Sequence, residues 1–128
     1  MNNNKVLVVD DSSSYLQFTV RALERAGYQV LTSDNAWITN IVSRERPDLI
    51  LMDVQLGAVS GTDAVNILRK RSFCKDTIIL LHTAGEKDKL DAMSAACGAH
   101  GYVIKDGKPE TLLDSMSRYI GSKQSSIH

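Results

Sequence analysis

Five short apolar runs alternate with stretches of helical periodicity along the chain, and this alternation restricts the fold more than any other feature. The runs occupy residues 6–9, 28–31, 49–52, 77–81 and 102–104, and most of their residues are Val, Ile or Leu. Runs without a polar residue at every second place suit strands that are covered on both faces. Between them, apolar residues recur at spacings of three and four. The first set is Leu16, Val20 and Leu23; the second is Ile38, Ile41 and Val42; the third is Ala64, Ile67 and Leu68. Leu90, Met93 and Cys97 form a fourth, and Leu112, Leu113, Met116 and Ile120 a fifth. Five amphipathic helices are predicted. Gly27 and Gly98 stand where the first and fourth should stop, Pro47 closes the second, and Pro109 suits the first position of the fifth. Trp37 falls on the second helix and reads as partial core.

This is a (βα)5 pattern. Right-handed crossovers over five parallel strands give an α/β, doubly wound, flavodoxin-like sheet with order 2-1-3-4-5. The 128 residues suffice for one domain with its own core. That domain is expected over residues 1–121, with 122–128 a polar tail or a truncated linker. The formal net charge is zero, which gives no bulk attraction to nucleic acid or to a membrane. No apolar run approaches the length of a membrane span, and Met1-Asn2-Asn3-Asn4 lacks the features of a secretory signal. Cys74 and Cys97 form no CxxC pair and read as free thiols in a reducing cytoplasm, Cys97 in a helix core and Cys74 in a loop; a disulfide between them is the alternative.

Acids sit at the ends of two of the runs. Asp10 and Asp11 close the first and Asp53 closes the third. In the order 2-1-3-4-5 those two strand ends are neighbours, at the switch point where such sheets bind ligands. Two carboxylates about 5 Å apart repel by about 3 kcal/mol at an effective dielectric near 20. Mg²⁺ (or Mn²⁺) would relieve that repulsion, since it takes a few carboxylate and carbonyl oxygens and keeps several waters. Simpler roles exist for each acid alone: Asp10 or Asp11 could cap the first helix ahead of Ser12-Ser13, and Asp53 could be a solvated strand end. Three acids converging on one cleft favour the metal. Thr83 and Lys105, at the ends of the fourth and fifth runs, fall on the same edge. A hydroxyl and an ammonium facing such a cluster could receive a tetrahedral dianion. Taken singly they would be a turn residue and a solvated lysine.

These residues resemble a bacterial response regulator receiver domain. The matching pieces are VLVVDDS at 6–12, PDLILMD at 47–53, LLHTAG at 80–85 and GYVIKDG at 101–107, with Gly61 after the acceptor loop. The resemblance runs from Lys5 to about Ile120 and implies roles for single positions. Asp53 would be the phosphoacceptor. Asp10, Asp11, Asp53 and the Gln55 carbonyl would hold Mg²⁺. Thr83, Lys105 and the Ala84 amide would bind phosphoryl oxygens, and Thr83 and Tyr102 would form the switch. The implied partners are a sensor histidine kinase or phosphotransfer protein and a downstream output protein or fused output domain, with no direct nucleic-acid or membrane partner. The implied activity is a cytoplasmic phosphorelay that assists only its own phosphorylation and dephosphorylation, read out on helix four, strand five and helix five.

The chain departs from the family's pattern in two places. Leu56-Gly57 replaces the frequent Met-Pro and should loosen the loop after the acceptor. Asp106 replaces the proline that usually follows the lysine, so a trans bond is expected there, because a cis non-prolyl bond costs about 2.5–4 kcal/mol. Asp106 should point to solvent rather than weaken Lys105. His82 is expected on a packed strand face and His100 in a loop, neither as a ligand. Other functions on such a sheet fit less well. A docking module that needs no phosphorylation usually lacks an acid, the threonine or the lysine. A haloacid-dehalogenase-type hydrolase wants DxD where this chain has Asp10-Asp11-Ser12. A flavin phosphate would be repelled by the acids.

Overall fold

The computed structural model describes residues 4–57 and 59–121; the expected tail, 122–128, lies outside the described residues. Five parallel strands, β1 (Lys5–Val9), β2 (Gln29–Ser33), β3 (Leu49–Asp53), β4 (Ile78–Thr83) and β5 (Gly101–Ile104), form one sheet. Their order is β2-β1-β3-β4-β5, the doubly wound arrangement expected from the sequence. Five helices connect or follow them: α1 (Ser13–Arg25), α2 (Thr39–Glu45), α3 (Gly61–Arg69), α4 (Lys87–Cys97) and α5 (Pro109–Met116). A π-helical turn, Ser117–Gly121, extends α5. No helix among the described residues is long and apolar enough to cross a membrane.

The continuous apolar runs split by alternate residues between two cores. Leu7, Val9, Ile50, Met52, Ile79 and Leu81 face one side, under α2, α3 and α4. Val6, Val8, Leu49, Leu51, Leu80 and Val103 face the other, under α1 and α5. Most of these side chains are fully excluded from water, and each such Val, Leu or Ile contributes about 1.5–3 kcal/mol. Register follows from the double burial: Val6 pairs with Leu49 and Val9 with Met52, so Asp10 and Asp53 emerge side by side just past the last apolar rung.

Local signals set the helix ends. Ser12 caps α1 through its hydroxyl, which accepts from the Tyr15 amide, so neither Asp10 nor Asp11 is the cap. Gly98 ends α4 at φ 87°, a left-handed conformation that glycine adopts without strain. At Gly61 the reason for glycine is close approach. A Cβ there would stand 1.9 Å from the Asp53 carbonyl oxygen, so the first turn of α3 packs directly on the backbone at the end of β3.

Several expectations from the sequence need correction. Trp37 is not partial core: it is 77% exposed and precedes α2. The Asn35 side chain accepts from the Trp37 amide, and the chain passes through with Ala36 and Ile38 inward and Trp37 outward. Ile67 is 46% exposed, and Val65 takes its place in the core. Ala64, Val65 and Leu68 share one stripe of α3, and Ile67 lies roughly 100° from its centre. Cys74 lies in the connection between α3 and β4, within a 3-10 turn, Ser72–Cys74, that buries it fully; both cysteines are free thiols, as expected. The segment carrying Leu56-Gly57 includes a small antiparallel ribbon, Gln55–Leu56 against Val59–Ser60, with Gly57 at φ 68°; this geometry does not bear on the expected looseness. The peptide bond at Lys105–Asp106 is trans, as expected.

Candidate functional site

The carboxyl ends of β1, β3, β4 and β5 meet in one cleft. Asp10 is 1% exposed and Asp53 7%, whereas Asp11 projects into solvent. One carboxylate oxygen from each of the three lies within 4.8 Å of the others, so the three could hold one metal ion between them. The backbone fixes two of the acids from behind: the Ser12 amide donates to Asp10 Oδ1 at 2.9 Å, and the Gln55 amide to Asp53 Oδ1 at 3.2 Å. Those bonds leave the other oxygens turned toward the cleft.

Lys105 reaches in from β5. Its Nζ is 2.7 Å from Asp10 Oδ2 and 3.4 Å from Asp53 Oδ2, with the lysine side chain only 14% exposed. The ammonium thus bridges both buried acids, with its shorter bond to Asp10, a pairing across the sheet that spacing along the chain does not reveal. Burial pushes the Asp53 carboxyl above the ordinary carboxylate range, and the charge of Asp10 adds to the rise; the Gln55 amide and Lys105 offset part of it. A group in this state gains from any cation brought to it.

His82 stands beside Asp53 in the β3–β4 register and is nearly fully buried. Burial, together with the charge of Lys105, lowers its pKa to about 4, so the imidazole is neutral at pH 7. His100 sits in the loop before β5, where its Nδ1 accepts from the Ile79 amide at 3.0 Å, a bond within the loop–strand junction and away from the acids.

Thr83 ends β4, and its carbonyl accepts from the Lys105 amide at 2.9 Å, so the two residues adjoin on the carboxyl edge. The Thr83 hydroxyl donates to the Ala84 carbonyl at 3.2 Å. Tyr102 is half-buried on β5; its hydroxyl donates to Asp91 on α4 at 2.8 Å, and Lys87 donates to the same carboxylate at 2.8 Å. Asp106 turns away from the lysine. It accepts from the Lys108 amide and the Thr111 hydroxyl and so anchors the start of α5.

Two neighbours of the site escaped sequence reasoning. Tyr15, in the first turn of α1, lays its ring against the Lys105 ammonium, 4.8 Å from Nζ to the centroid, and packs edge-on to His82. An aromatic residue one turn after an acid pair was the available signal. Asp91, which holds Tyr102, lacked one, because the link spans α4 and β5.

Comparison with known proteins agrees with this geometry. The sequence matches the response regulator receiver domain over residues 6–117. It is 34% identical to the alkaline phosphatase synthesis transcriptional regulatory protein PhoP of Bacillus subtilis, across 84% of this chain and 44% of that protein. It is 29% identical to sporulation initiation phosphotransferase F of the same organism, across 96% of this chain and 98% of that one. The solved chemotaxis response regulator CheY4 of Vibrio cholerae superposes with a TM-score of 0.83 and 34% identity, covering 91% of this chain and 98% of that one. The chain spans half or less of the length of several curated relatives, from 18% to 50% of the first three. On sequence, strand order and the placement of its acids, the chain belongs to the response regulator receiver domain family.

Proposed function

We propose that Asp53 is the phosphoacceptor of a two-component phosphorelay and that Asp10, Asp11, Asp53 and the Gln55 carbonyl hold the divalent cation it needs, Mg²⁺ or Mn²⁺. The observation that carries this reading is the single cleft in which three carboxylate oxygens lie within 4.8 Å of one another and Lys105 bridges Asp10 and Asp53. An Asp53 carboxylate oxygen attacks phosphorus. A P–O bond forms to Asp53 as the bond to the donor breaks, and the donor leaves with the electron pair, as the imidazole of a phosphohistidine or as acetate from acetyl phosphate. The cation, when bound, supplies charge neutralisation on the phosphoryl oxygens. Lys105 supplies the same from the protein, and the Ala84 amide and Thr83 hydroxyl complete the receptor. Positioning and electrostatics supply most of the rate. The domain turns over no other substrate in this reading.

The phosphoryl group then acts as an internal ligand. Driving a two-state element nearly to completion takes about 5.5 kcal/mol of differential stabilisation. Bonds to a charged group contribute about 1.5–3 kcal/mol each, so Thr83, Ala84 and Lys105 together supply much of that need. Thr83 exchanges its bond to the Ala84 carbonyl for one to phosphate, and Tyr102 exchanges Asp91 for an inward position, altering the face of α4, β5 and α5. A sensor histidine kinase or phosphotransfer protein is the donor and an output protein or domain the receiver of the signal.

Acetyl phosphate and Mg²⁺ should add one phosphoryl group, read by intact mass. Asp53→Asn and chelation of the metal should each abolish it. An adduct that survives Asp53→Asn sinks the assignment.

A further inference from the structure

Lys105 has four rotatable side-chain bonds and sits at the end of a strand, so something must hold its ammonium in the cleft. Asp10 and Asp53 hold it in part, but both are candidate metal ligands. The Tyr15 ring is the third contact, 4.8 Å from Nζ, and it is not a ligand. The ring is itself fixed, edge-on to His82 at 5.6 Å and to Phe18 at 5.2 Å. Its hydroxyl accepts from the Gly107 amide at 3.2 Å. Tyr15 therefore grips both the head of Lys105 and the backbone two residues on. The grip falls on the connection from β5 to α5, which reads Lys105-Asp106-Gly107, without proline and with Gly107 at φ 74°.

We propose that Tyr15 is a positioning residue for phosphoryl transfer, holding the Lys105 ammonium with its ring and the Lys105–Gly107 segment with its hydroxyl. The inference rests on Lys105 as the phosphoryl-binding cation. The ring face attracts the ammonium through its quadrupole and limits the directions the side chain can take. The hydroxyl ties the loop to α1, so Tyr15 links the first helix to the strand at the far side of the cleft.

Two variants separate the two grips. Tyr15→Phe keeps the ring and loses the acceptor for Gly107; Tyr15→Leu loses both. In the metal-free protein, NMR should show the Lys105 Hε protons shifted upfield by the ring in wild type and Tyr15→Phe, and unshifted in Tyr15→Leu. Amide exchange at Gly107 should quicken in both variants. With saturating Mg²⁺ and acetyl phosphate, Tyr15→Leu should slow phosphoryl incorporation about five- to tenfold, and Tyr15→Phe about twofold. The deciding comparison uses Lys105→Met: if Tyr15 acts through the lysine, adding Tyr15→Leu to that variant slows it no further. A wild-type rate in Tyr15→Leu, or equal slowing with and without Lys105, overturns the proposal, as does an unshifted Lys105 in wild type. A wild-type protein that takes no phosphoryl group removes the phosphoacceptor reading instead, while the metal-free NMR still decides whether the ring holds the lysine.

Discussion

At the scale of single residues, the cleft sets unlike charges against burial. Lys105 stands between two buried acids, and removing it leaves them facing each other with no cation. Breaking a buried pair in this way costs about 3 kcal/mol. Lys105→Met is therefore expected to unfold at lower urea concentration than wild type in metal-free buffer, and Mg²⁺ should restore more stability to the variant than to wild type. His82 gives a separate handle through pH. Its folded pKa of about 4 lies below the ordinary 6.5, so the unfolded chain takes up the proton first as pH falls. The stability of the neutral, buried imidazole is full above about pH 6.5 and is lost progressively down to about pH 4. Between pH 7 and 5 that amounts to about 2 kcal/mol. Urea unfolding at the two pH values should show His82→Leu losing less stability than wild type by about this amount; equal losses would mean that His82 is not buried neutral.

At the scale of elements, each strand delivers its polar residue at the carboxyl end because the interior rungs are used on both faces. The helix following β3 is set by Gly61, whose missing Cβ lets α3 touch the Asp53 backbone. Gly61→Ala is expected to push α3 and β3 apart, at a cost of about 1–3 kcal/mol, and to slow phosphoryl uptake by displacing Asp53. Ile67→Ser, on the outer side of the same helix, should stay within about 0.5 kcal/mol of wild type. Chemical denaturation of the two variants measures the contrast. The helix stripes were legible in the sequence where the apolar residues were few and regularly spaced, as in α4. They were misread in α3, where Val65 and Ile67 compete for one stripe and only the helix's rotation against the sheet decides between them. Trp37 was misassigned for a related reason: the Asx turn at Asn35 delays α2 until Thr39 and leaves the indole outside.

At the scale of the whole molecule, the proposed metal site would tie folding to the cation. A ligand that binds only the folded state stabilises it by about 2.7 kcal/mol at a hundred times its dissociation constant. Mg²⁺ is expected to raise the melting temperature of wild type, and Asp11→Asn, which removes the exposed carboxylate of the proposed metal site without disturbing the core, should remove most of that gain; calorimetry with and without metal tests it. The sequence by itself determined the strand order, the two-sided core and the gathering of Asp10, Asp53, Thr83 and Lys105 on one edge. These follow from period, chain direction and crossover handedness, which are local or topological properties. Tertiary structure alone decided which acid Lys105 approaches most closely, that Tyr15 lies against it, and that Asp91 holds Tyr102. Those contacts depend on ångström-scale offsets between elements far apart in the chain, and such offsets are fixed only when the helices have packed on the sheet.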